Sequence, residues 1–575
     1  MSWEKTYQTW LNEETLEAGL KAELLSLEGE TDKLKDAFYA PLEFGTAGMR
    51  GLLGVGINRM NIYTVRQATE GLARLMESKG KEAKKRGVAI AYDSRHMSPE
   101  FSMEAAKVLA KHNIPSFVFE SLRPTPELSF AVRDLHAFTG IMITASHNPA
   151  PYNGYKVYGE DGGQMPPHDA DALTTYVRGI ENPLTIEVAD ENEAKDLGLI
   201  TIIGADIDDR YLELMKGVTI NQKLIDEVGR HLKLIYTPLH GTGEMLGRRA
   251  LAQAGFSSVA VVEEQTIPDG DFPTVKSPNP EEHSAFAMAI ALGEKEDADV
   301  LVATDPDADR LGVAVRLPNG EYQVLTGNQI GAILIKYILE AHKQAGTLPE
   351  NAAVLKSIVS SELATKIADS YGVTMMNVLT GFKFIAEKIQ QFEETGSNTY
   401  MFGFEESYGY LVKPFVRDKD AIQALVLTAE VAAYYKSLGK TLYDGLQDIF
   451  AEYGFYAEKT ISVTLSGIDG SEKIKALMTK FRNEAPTEFG GVKVTVTEDF
   501  KELTKVSVDG TVEKLTTPPS DVLKYIMEDG SWIAVRPSGT EPKIKFYLAT
   551  SADSQVEADA KIAAFEASVN EITAE

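Results

Sequence analysis

The sequence of 575 residues contains no cysteine. Disulfide bonds, zinc–thiolate sites and cysteine nucleophiles are therefore excluded. No stretch approaches the roughly 20 consecutive apolar residues that a membrane-spanning helix needs. The N-terminus is rich in Glu, Lys and Leu, without the basic start and apolar core of a signal peptide. We therefore expect a soluble, cytoplasmic protein with no membrane partner.

Basic residues are few in relation to acidic ones. The chain has 57 Lys and Arg against 85 Asp and Glu, which gives a formal net charge of −28. This balance argues against nucleic acid or an anionic membrane surface as a partner. It leaves an anionic small molecule open, because basic side chains can gather inside one cleft. Nothing in the sequence implies a protein partner.

Two nucleotide-binding motifs are also missing. Residues 438–441, Leu-Gly-Lys-Thr, resemble the end of a P-loop, but position 434 is Tyr where that motif requires Gly. No strand leads into a Gly-x-Gly-x-x-Gly sequence, so a dinucleotide site has no support.

The order of hydrophobic patterns indicates several domains, as expected for a chain of this length. Short apolar runs at 88–92, 141–144, 232–236 and 300–303 alternate with helical patterns such as 98–111, which predicts parallel α/β sheets. The first forty residues read as an amphipathic helical cap. The last 120 or so residues differ: period-two strands at 459–463, 492–496 and 505–508, a hairpin turn at Asp509-Gly510 and a helix over 556–572 predict a smaller α+β domain. We place the domains at 1–204, 205–318, 319–453 and 454–575.

Polar clusters follow several of these strands, where open α/β sheets bind ligands. The most informative is Thr144-Ala145-Ser146-His147-Asn148-Pro149, which continues to Lys156. A serine held rigidly at a strand end can act as a covalent relay, with His147 or Lys156 as proton carrier. The same residues also suit an ordinary turn whose side chains bond the backbone. A hydrolase is disfavoured because no Gly-x-Ser-x-Gly elbow surrounds this serine.

A second cluster, Asp305-Pro306-Asp307-Ala308-Asp309-Arg310, follows an apolar strand directly. Three carboxylates at alternate positions can converge on one hard cation. An EF-hand loop is excluded because its sixth and twelfth positions would be Arg310 and Arg316 instead of Gly and Glu. A solvated acidic turn is the alternative. Three protein ligands leave positions open, which suits a magnesium ion shared with a phosphate.

Two further loops have weaker signals. Residues 403–409 carry Glu405 and Ser407, a spacing that can hold neighbouring sugar hydroxyls. Residues 536–542 carry an arginine, two hydroxyls and a glycine, which together can cradle a phosphate. Each also fits a plain turn. The glycine-rich residues 45–51 carry one arginine, Arg50.

Taken together, these stretches resemble the α-D-phosphohexomutase family, and within it the bacterial phosphoglucomutase branch, from Gly45 to Tyr547 in family order. The resemblance implies an α/β fold of four domains around a central cleft: three related α/β domains with mixed sheets and a smaller C-terminal α+β domain. It also implies magnesium, bound by Ser146, Asp305, Asp307 and Asp309, and phosphorylation of Ser146. The implied catalytic residues are Ser146, His147, Lys156, Arg50 and Arg310. Those that bind substrate are Thr380, Gly381, Glu405, Ser407, Lys356 and Arg417, and those that bind the non-reacting phosphate are Arg536, Ser538, Gly539 and Thr540. Phe382 replaces the Trp or His common at that loop position in relatives.

The activity that this resemblance implies is interconversion of glucose 1-phosphate and glucose 6-phosphate, with glucose 1,6-bisphosphate as intermediate and activator. Within the family, mannose, pentose and amino-sugar phosphates are alternative substrates. The Glu-Glu-Ser-Tyr-Gly loop resembles that of glucose-preferring relatives. A magnesium-dependent phosphatase would release inorganic phosphate instead, and a non-catalytic sugar-phosphate binder would have no need of Ser146, Lys156 and the three aspartates.

Overall fold

The computed structural model describes residues 2–44, 48–165, 167–464, 470–538 and 543–574. The chain divides into two compact units. The first comprises Met1–Ile330 with Phe382–Leu442, and the second comprises Gly331–Gly381 with Tyr443–Glu575. Within the described residues, no helix is both long and apolar enough to span a bilayer.

A mixed six-stranded sheet forms the first α/β layer of the first unit. Its strand order is β1-β5-β4-β2-β3-β6. Strands β4, β2, β3 and β6 run parallel, and β5 pairs antiparallel with both β4 and β1. A core of aliphatic side chains fills the space between this sheet and its helices. The elements are α1 (Trp3–Leu11), α2 (Ala18–Ser26), α3 (Thr31–Phe38), β1 (Met49–Leu52), α4 (Ile62–Lys79), α5 (Lys81–Arg86), β2 (Val88–Tyr92), α6 (Ser98–Lys111), β3 (Ser116–Phe119), α7 (Thr125–Asp134), β4 (Thr139–Ile143), β5 (Tyr152–Tyr158), α8 (Pro167–Arg178), α9 (Glu191–Asp196) and β6 (Ile200–Ile203).

A five-stranded sheet follows in the same unit, in the order β11-β10-β9-β7-β8. Strands β9, β7 and β8 are parallel, and β10 and β11 extend the sheet as an antiparallel hairpin. The predicted boundary at 318/319 falls between the two strands of this hairpin; the three domain boundaries stay predictions. The elements are α10 (Ala205–Met215), α11 (Gln222–Val228), β7 (Leu234–Thr237), α12 (Gly243–Ala254), β8 (Val259–Val261), α13 (Ala287–Glu296), β9 (Val300–Thr304), β10 (Leu311–Arg316) and β11 (Tyr322–Val324).

The next elements are shared between the two units. In the second unit, β12 and β13 form a parallel pair; in the first, β14 and β15 form an antiparallel pair. The elements are α14 (Gly327–Gln344), β12 (Ala352–Ser357), α15 (Glu362–Ser370), β13 (Thr374–Val378), α16 (Phe382–Thr395), β14 (Thr399–Glu405), β15 (Gly409–Leu411), α17 (Ala421–Ser437) and α18 (Leu442–Tyr453).

The C-terminal part of the second unit is an eight-stranded antiparallel sheet. Its order is β16-β23-β22-β21-β18-β19-β20, and β17 pairs with β18 outside that order. Its core packs against α19 and α20. The elements are β16 (Phe455–Thr464), α19 (Gly470–Asn483), β17 (Glu488–Phe489), β18 (Val492–Asp499), β19 (Thr504–Ser507), β20 (Val512–Lys514), β21 (Leu523–Met527), β22 (Trp532–Pro537), β23 (Lys543–Ala552) and α20 (Gln555–Ala574).

The predicted fold class, α/β sheets followed by an antiparallel α+β domain, is confirmed. The predicted helix over 98–111 and strand over 88–92 have the predicted bounds. The predicted helical cap at the N-terminus consists of three separate helices. Ser2 accepts a hydrogen bond at the start of α1, and Glu17 accepts two at the start of α2. These side-chain caps start separate helices, which pack around Trp10.

Candidate active site

Ser146 lies three residues beyond the end of β4, in a turn that holds its side chain rigidly. Its backbone φ is 52°, a left-handed conformation that non-glycine residues seldom adopt. The Ser146 N–H donates to Thr144 Oγ1 (2.8 Å), and the buried Arg95 guanidinium donates to the Ser146 carbonyl oxygen (2.5 Å). These bonds compensate the backbone strain and fix the direction of the hydroxyl, as a reacting group requires.

The Ser146 hydroxyl donates a hydrogen bond to a carboxylate. Ser146 Oγ donates to Asp305 Oδ2 over 2.8 Å and lies 3.2 Å from His147 Nδ1. Asp305 follows β9 directly, whereas Ser146 follows β4 in the preceding sheet. The carboxyl ends of two α/β sheets therefore supply one common centre.

Three aspartates, Asp305, Asp307 and Asp309, form a buried cluster in the loop between β9 and β10. One ligand oxygen from each lies within 4.8 Å of the others. Within the described part of the chain, Oδ1 of Asp307 and Oδ1 of Asp309 have no hydrogen-bond partner. Buried carboxylates with unsatisfied oxygens are costly unless a cation neutralises them. The donor set therefore fits a hard divalent cation.

The three carboxylates differ in their surroundings. Burial, followed by the charges of Asp307 and Asp309, raises the pKa of Asp305 well above its usual value. Burial also raises the pKa of Asp307, but the charge and hydrogen bond of Lys156, together with the hydrogen bonds from Asp305 and Thr125, hold that pKa below its usual range. Asp307 Oδ2 accepts from Lys156 Nζ (3.0 Å) and from Thr125 Oγ1 (2.8 Å). Negative charges from the neighbouring aspartates therefore disfavour ionisation of Asp305, whereas the contact with Lys156 favours ionisation of Asp307.

Lys156 belongs to the centre because of strand register. It lies on β5 opposite Met142 of β4, and its ammonium group is 3.7 Å from Asp309 Oδ2. Close packing supports this hairpin: a Cβ on Gly154 would lie 2.5 Å from the Thr144 carbonyl oxygen, so only glycine fits there. Lys156 is consequently a buried ammonium group beside two carboxylates, well placed to hold or release a proton.

His147 and two arginines surround the serine turn. Desolvation, followed by the charges of Arg310 and Arg50, lowers the pKa of His147 well below its usual value. The imidazole is therefore neutral near pH 7 and able to accept a proton. Arg50 donates to Asn148 Oδ1 (2.8 Å) in the same turn. Arg310 forms an ion pair with Glu281.

The structure also brings Glu405 to this electrostatic environment. Glu405 is a buried residue at the end of β14, and its charge acts on Arg310 and Lys419. Ser407 lies half-buried in the turn between β14 and β15. Gly409 bridges to Arg310, which fastens this turn to the aspartate loop.

Lys419 is a site residue that the sequence analysis missed. Its Nζ lies 3.0 Å from Asp309 Oδ2. Burial lowers its pKa, but Asp309 and Asp418 outweigh burial and hold that pKa above its usual value. The predicted neighbour, Arg417, contacts other groups: it donates to the Pro414 carbonyl oxygen and pairs with a glutamate of α16. The alternating charges of residues 417–420 indicate a functional loop in the sequence. Only the fold shows which of its two cations faces the aspartate cluster.

Two other contributors had weak or no signal. Arg95 pairs with the buried Asp93 (3.3 Å) and donates to several carbonyl oxygens of the serine turn, including that of Asn148. Both residues follow the apolar strand β2 directly, a position in the sequence that could have indicated them. Thr125 at the start of α7, which bonds Asp307, had no signal, because its contact spans 182 positions of sequence.

The remaining predicted residues lie in the second unit. Lys356 is a buried residue of β12. Thr380 and Gly381 follow β13; the buried Thr380 Oγ1 has no hydrogen-bond partner among the described residues. Arg536 is the second-last residue of β22 and lies opposite Lys545. The Ser538 N–H donates to the Lys543 carbonyl oxygen (2.7 Å). Gly539 and Thr540 lie outside the described residues.

A buried serine bonded to a cluster of three carboxylates, at the ends of α/β sheets, is the arrangement of a metal-assisted phosphoryl-transfer enzyme. Comparison with known sequences is consistent with this class. The four phosphoglucomutase/phosphomannomutase domain families match in order: domain I at residues 41–183, domain II at 209–319, domain III at 326–453 and the C-terminal domain at 492–567. The chain belongs to the phosphoglucomutase/phosphomannomutase family, with its four-domain architecture, and is a mutase of the isomerase class.

Individual relatives agree. A phosphoglucomutase of Staphylococcus epidermidis is 41% identical over 91% of this chain and 93% of its own length, and one of Staphylococcus aureus is 40% identical over 89% and 90%. Among solved structures, the phosphoglucomutase parafusin from Paramecium has a TM-score of 0.67 at 19% identity, covering 93% of this chain and 95% of its own. A family protein from Burkholderia thailandensis has a TM-score of 0.62 at 18% identity, covering 92% and 97%. These two structures support the fold.

Proposed function

We propose that this protein interconverts glucose 1-phosphate and glucose 6-phosphate through a phosphorylated Ser146 and a glucose 1,6-bisphosphate intermediate. The observation that carries the proposal is the 2.8 Å hydrogen bond from Ser146 Oγ to Asp305, which puts a strained serine beside three carboxylates. The relatives named phosphoglucomutase, about 40% identical over most of the chain, support glucose as the sugar.

The metal in this proposal is Mg²⁺, held by Asp305, Asp307 and Asp309 together with the phosphate on Ser146. The three buried carboxylates and their unsatisfied oxygens favour it. When bound, magnesium neutralises charge on the phosphoryl group. Arg50 and Arg310 would add positive charge beside the same group, since both act on His147 next to Ser146.

The protein groups then manage the proton. Transfer breaks the bond between phosphorus and Ser146 Oγ and forms one between phosphorus and a sugar hydroxyl oxygen. That hydroxyl gives up its proton, which the neutral His147 can accept, while the ammonium of Lys156 can protonate the released Ser146 Oγ. In the second half-reaction the roles reverse: Ser146 loses its proton and takes the other phosphate of the bisphosphate. Two neighbouring groups, one neutral and one cationic, suit both directions.

Substrate recognition is divided among the other predicted residues. Glu405 and Ser407 would bind sugar hydroxyls, because a buried carboxylate and a hydroxyl two residues apart can accept and donate to neighbouring oxygens. The non-reacting phosphate would bind Arg536, Ser538, Gly539 and Thr540. Further substrate-binding residues in this proposal are Lys356, Thr380, Gly381 and Arg417.

The test compares kcat/KM for the 1-phosphates of glucose, mannose and ribose, each with Mg²⁺ and a trace of the matching bisphosphate. We expect glucose 1-phosphate to be preferred. A preference for mannose or ribose would keep the phosphoserine mechanism and overturn the assignment of Glu405 and Ser407 to glucose. Release of inorganic phosphate without isomer formation would instead indicate a phosphatase.

A further inference from the structure

Lys524 is a buried cation that the proposed mechanism does not use. It lies on β21 of the C-terminal sheet with its side chain 7% exposed. Its Nζ donates to the Ile358 carbonyl oxygen over 2.8 Å and lies 4.2 Å from the centre of the Trp532 ring. The residue thus reaches from the C-terminal sheet to the loop after β12.

That loop begins beside Lys356, which is fully buried. Lys356 Nζ lies 3.2 Å from Glu362 Oε1 and donates to the Ser360 carbonyl oxygen (3.1 Å). Lys524 Nζ lies 3.7 Å from the same Glu362 oxygen. Two ammonium groups therefore share one carboxylate, and each also binds a carbonyl oxygen of the segment between Lys356 and Glu362.

Burying two ammonium groups to join a loop to a sheet carries a large desolvation cost. Burial, followed by the charge of Lys356, lowers the pKa of Lys524 to about 8, although Glu362 on α15 and Glu498 on β18 oppose this. Apolar side chains would join the same elements without the desolvation cost of a charge. Because a carbonyl oxygen and a shared carboxylate need a directed donor, an ammonium group here fixes geometry that an apolar contact would leave free.

We propose that Lys524 is a positioning residue for substrate binding: by holding the Ile358 carbonyl oxygen and sharing Glu362, it fixes the loop that follows Lys356, the residue proposed to contact the sugar phosphate. The proposal rests on the proposed function insofar as Lys356 contacts substrate. Lys524 itself acts through Lys356 and Glu362. Removal of Lys524 should therefore weaken substrate binding more than it slows the chemical step.

The first experiment is steady-state kinetics of Lys524→Met. We expect KM for glucose 1-phosphate to rise about tenfold with kcat within about twofold of wild type, since one directed charged hydrogen bond is lost. Lys505→Met is the matched control, because Lys505 lies on β19 of the same sheet and pairs with the exposed Glu513; its KM should not change. A lower thermal midpoint with unchanged KM would show a structural role only and overturn the proposal.

A second readout does not depend on turnover. The backbone N–H groups of residues 358–361 should exchange with deuterium slowly in the wild type and faster in Lys524→Met, because Lys524 holds the Ile358 carbonyl oxygen of this segment; hydrogen–deuterium exchange with mass spectrometry measures both. Unchanged protection would overturn the proposal whether or not the protein is a glucose phosphate mutase. Conversely, absence of mutase activity in the wild type would count against the proposed function. The protection measurement would still test the role of Lys524, because it does not depend on activity.

The conservative variant supplies a pH test, which also serves if Lys524→Met does not fold. Between pH 7 and 9 Lys524 loses its charge, so KM of the wild type should rise across this range. Lys524→Arg keeps a cation throughout, because arginine does not titrate there, and its KM should stay flat. Parallel pH profiles for the two proteins would contradict the positioning role.

Discussion

Ser146 combines a buried hydroxyl with a backbone conformation that favours glycine. The hydrogen bonds that hold it come from Thr144 on one side and Arg95 on the other. The motif that contains Ser146 could be found in the sequence, because serine, histidine and asparagine follow an apolar strand. Its strain could not be found there, because it depends on the contact with Arg95, 51 positions away.

The first prediction concerns the serine itself. Ser146→Ala should remove the phosphorylated enzyme and lower kcat by at least about 10³-fold, because no other hydroxyl replaces the relay. Ser116→Ala, a change of another buried serine, in β3, is the control and should retain activity. The measurements are intact-protein mass after incubation with glucose 1,6-bisphosphate and the mutase rate. Normal turnover in Ser146→Ala would eliminate the phosphoserine mechanism.

The second prediction concerns Asp307. Asp307→Asn keeps the shape but removes one negative charge from the metal cluster, so half-maximal activity should require at least about tenfold more Mg²⁺ and kcat should fall. Mg²⁺ should also raise the thermal midpoint of the wild type and do so much less for the variant. Asp209→Asn, at an exposed aspartate paired with Arg249, is the control. An unchanged magnesium titration would contradict a ligand role.

At the scale of elements, the regular parts of the fold were the predictable ones. The strand over 88–92 follows from a continuous apolar run, and the helix over 98–111 follows from its hydrophobic period. The pairing of strands was not available from one sequence, because it depends on contacts distant along the chain. The candidate site residues follow the same rule. Contiguous motifs were enough to predict Ser146 and the three aspartates, whereas Lys419 and Thr125 could be identified only from the packing of loops from separate sheets.

The third prediction concerns the start of α17, where Asp420 accepts from the N–H groups of Ile422 and Gln423 and from the Tyr211 hydroxyl. Burial raises the pKa of Asp420 to about 6 in spite of these bonds. Because the folded-state pKa is above the unfolded value, this group favours folding at low pH, and that contribution is lost as pH rises from about 4 to 6. At pH 8 the ionised Asp420 therefore destabilises the fold.

Asparagine keeps the cap and the acceptor without the charge. Asp420→Asn should therefore raise the free energy of unfolding at pH 8 by up to about 3 kcal/mol and have little effect at pH 4. Urea denaturation at the two pH values measures this difference. An equal effect at both values would mean that the charge of Asp420 is not the cause.

At the scale of the whole molecule, the excess of acidic residues dominates. With a formal net charge of −28, mutual repulsion opposes compact structure, and salt screens it. The fourth prediction is that the thermal midpoint rises by a few degrees, about 2 to 4 °C, between 20 and 500 mM NaCl. Choline chloride should act similarly if screening is the cause. A midpoint independent of either salt would show that the surface charges are already balanced locally.

The order of strands in the C-terminal sheet has a consequence for how the chain is made. Strand β16 (Phe455–Thr464) pairs along its whole length with β23 (Lys543–Ala552), the last strand in the chain. During synthesis β16 therefore leaves the ribosome long before its partner exists. A nascent chain that has not reached residue 543 carries an exposed ten-residue strand, which must be shielded until translation is nearly complete.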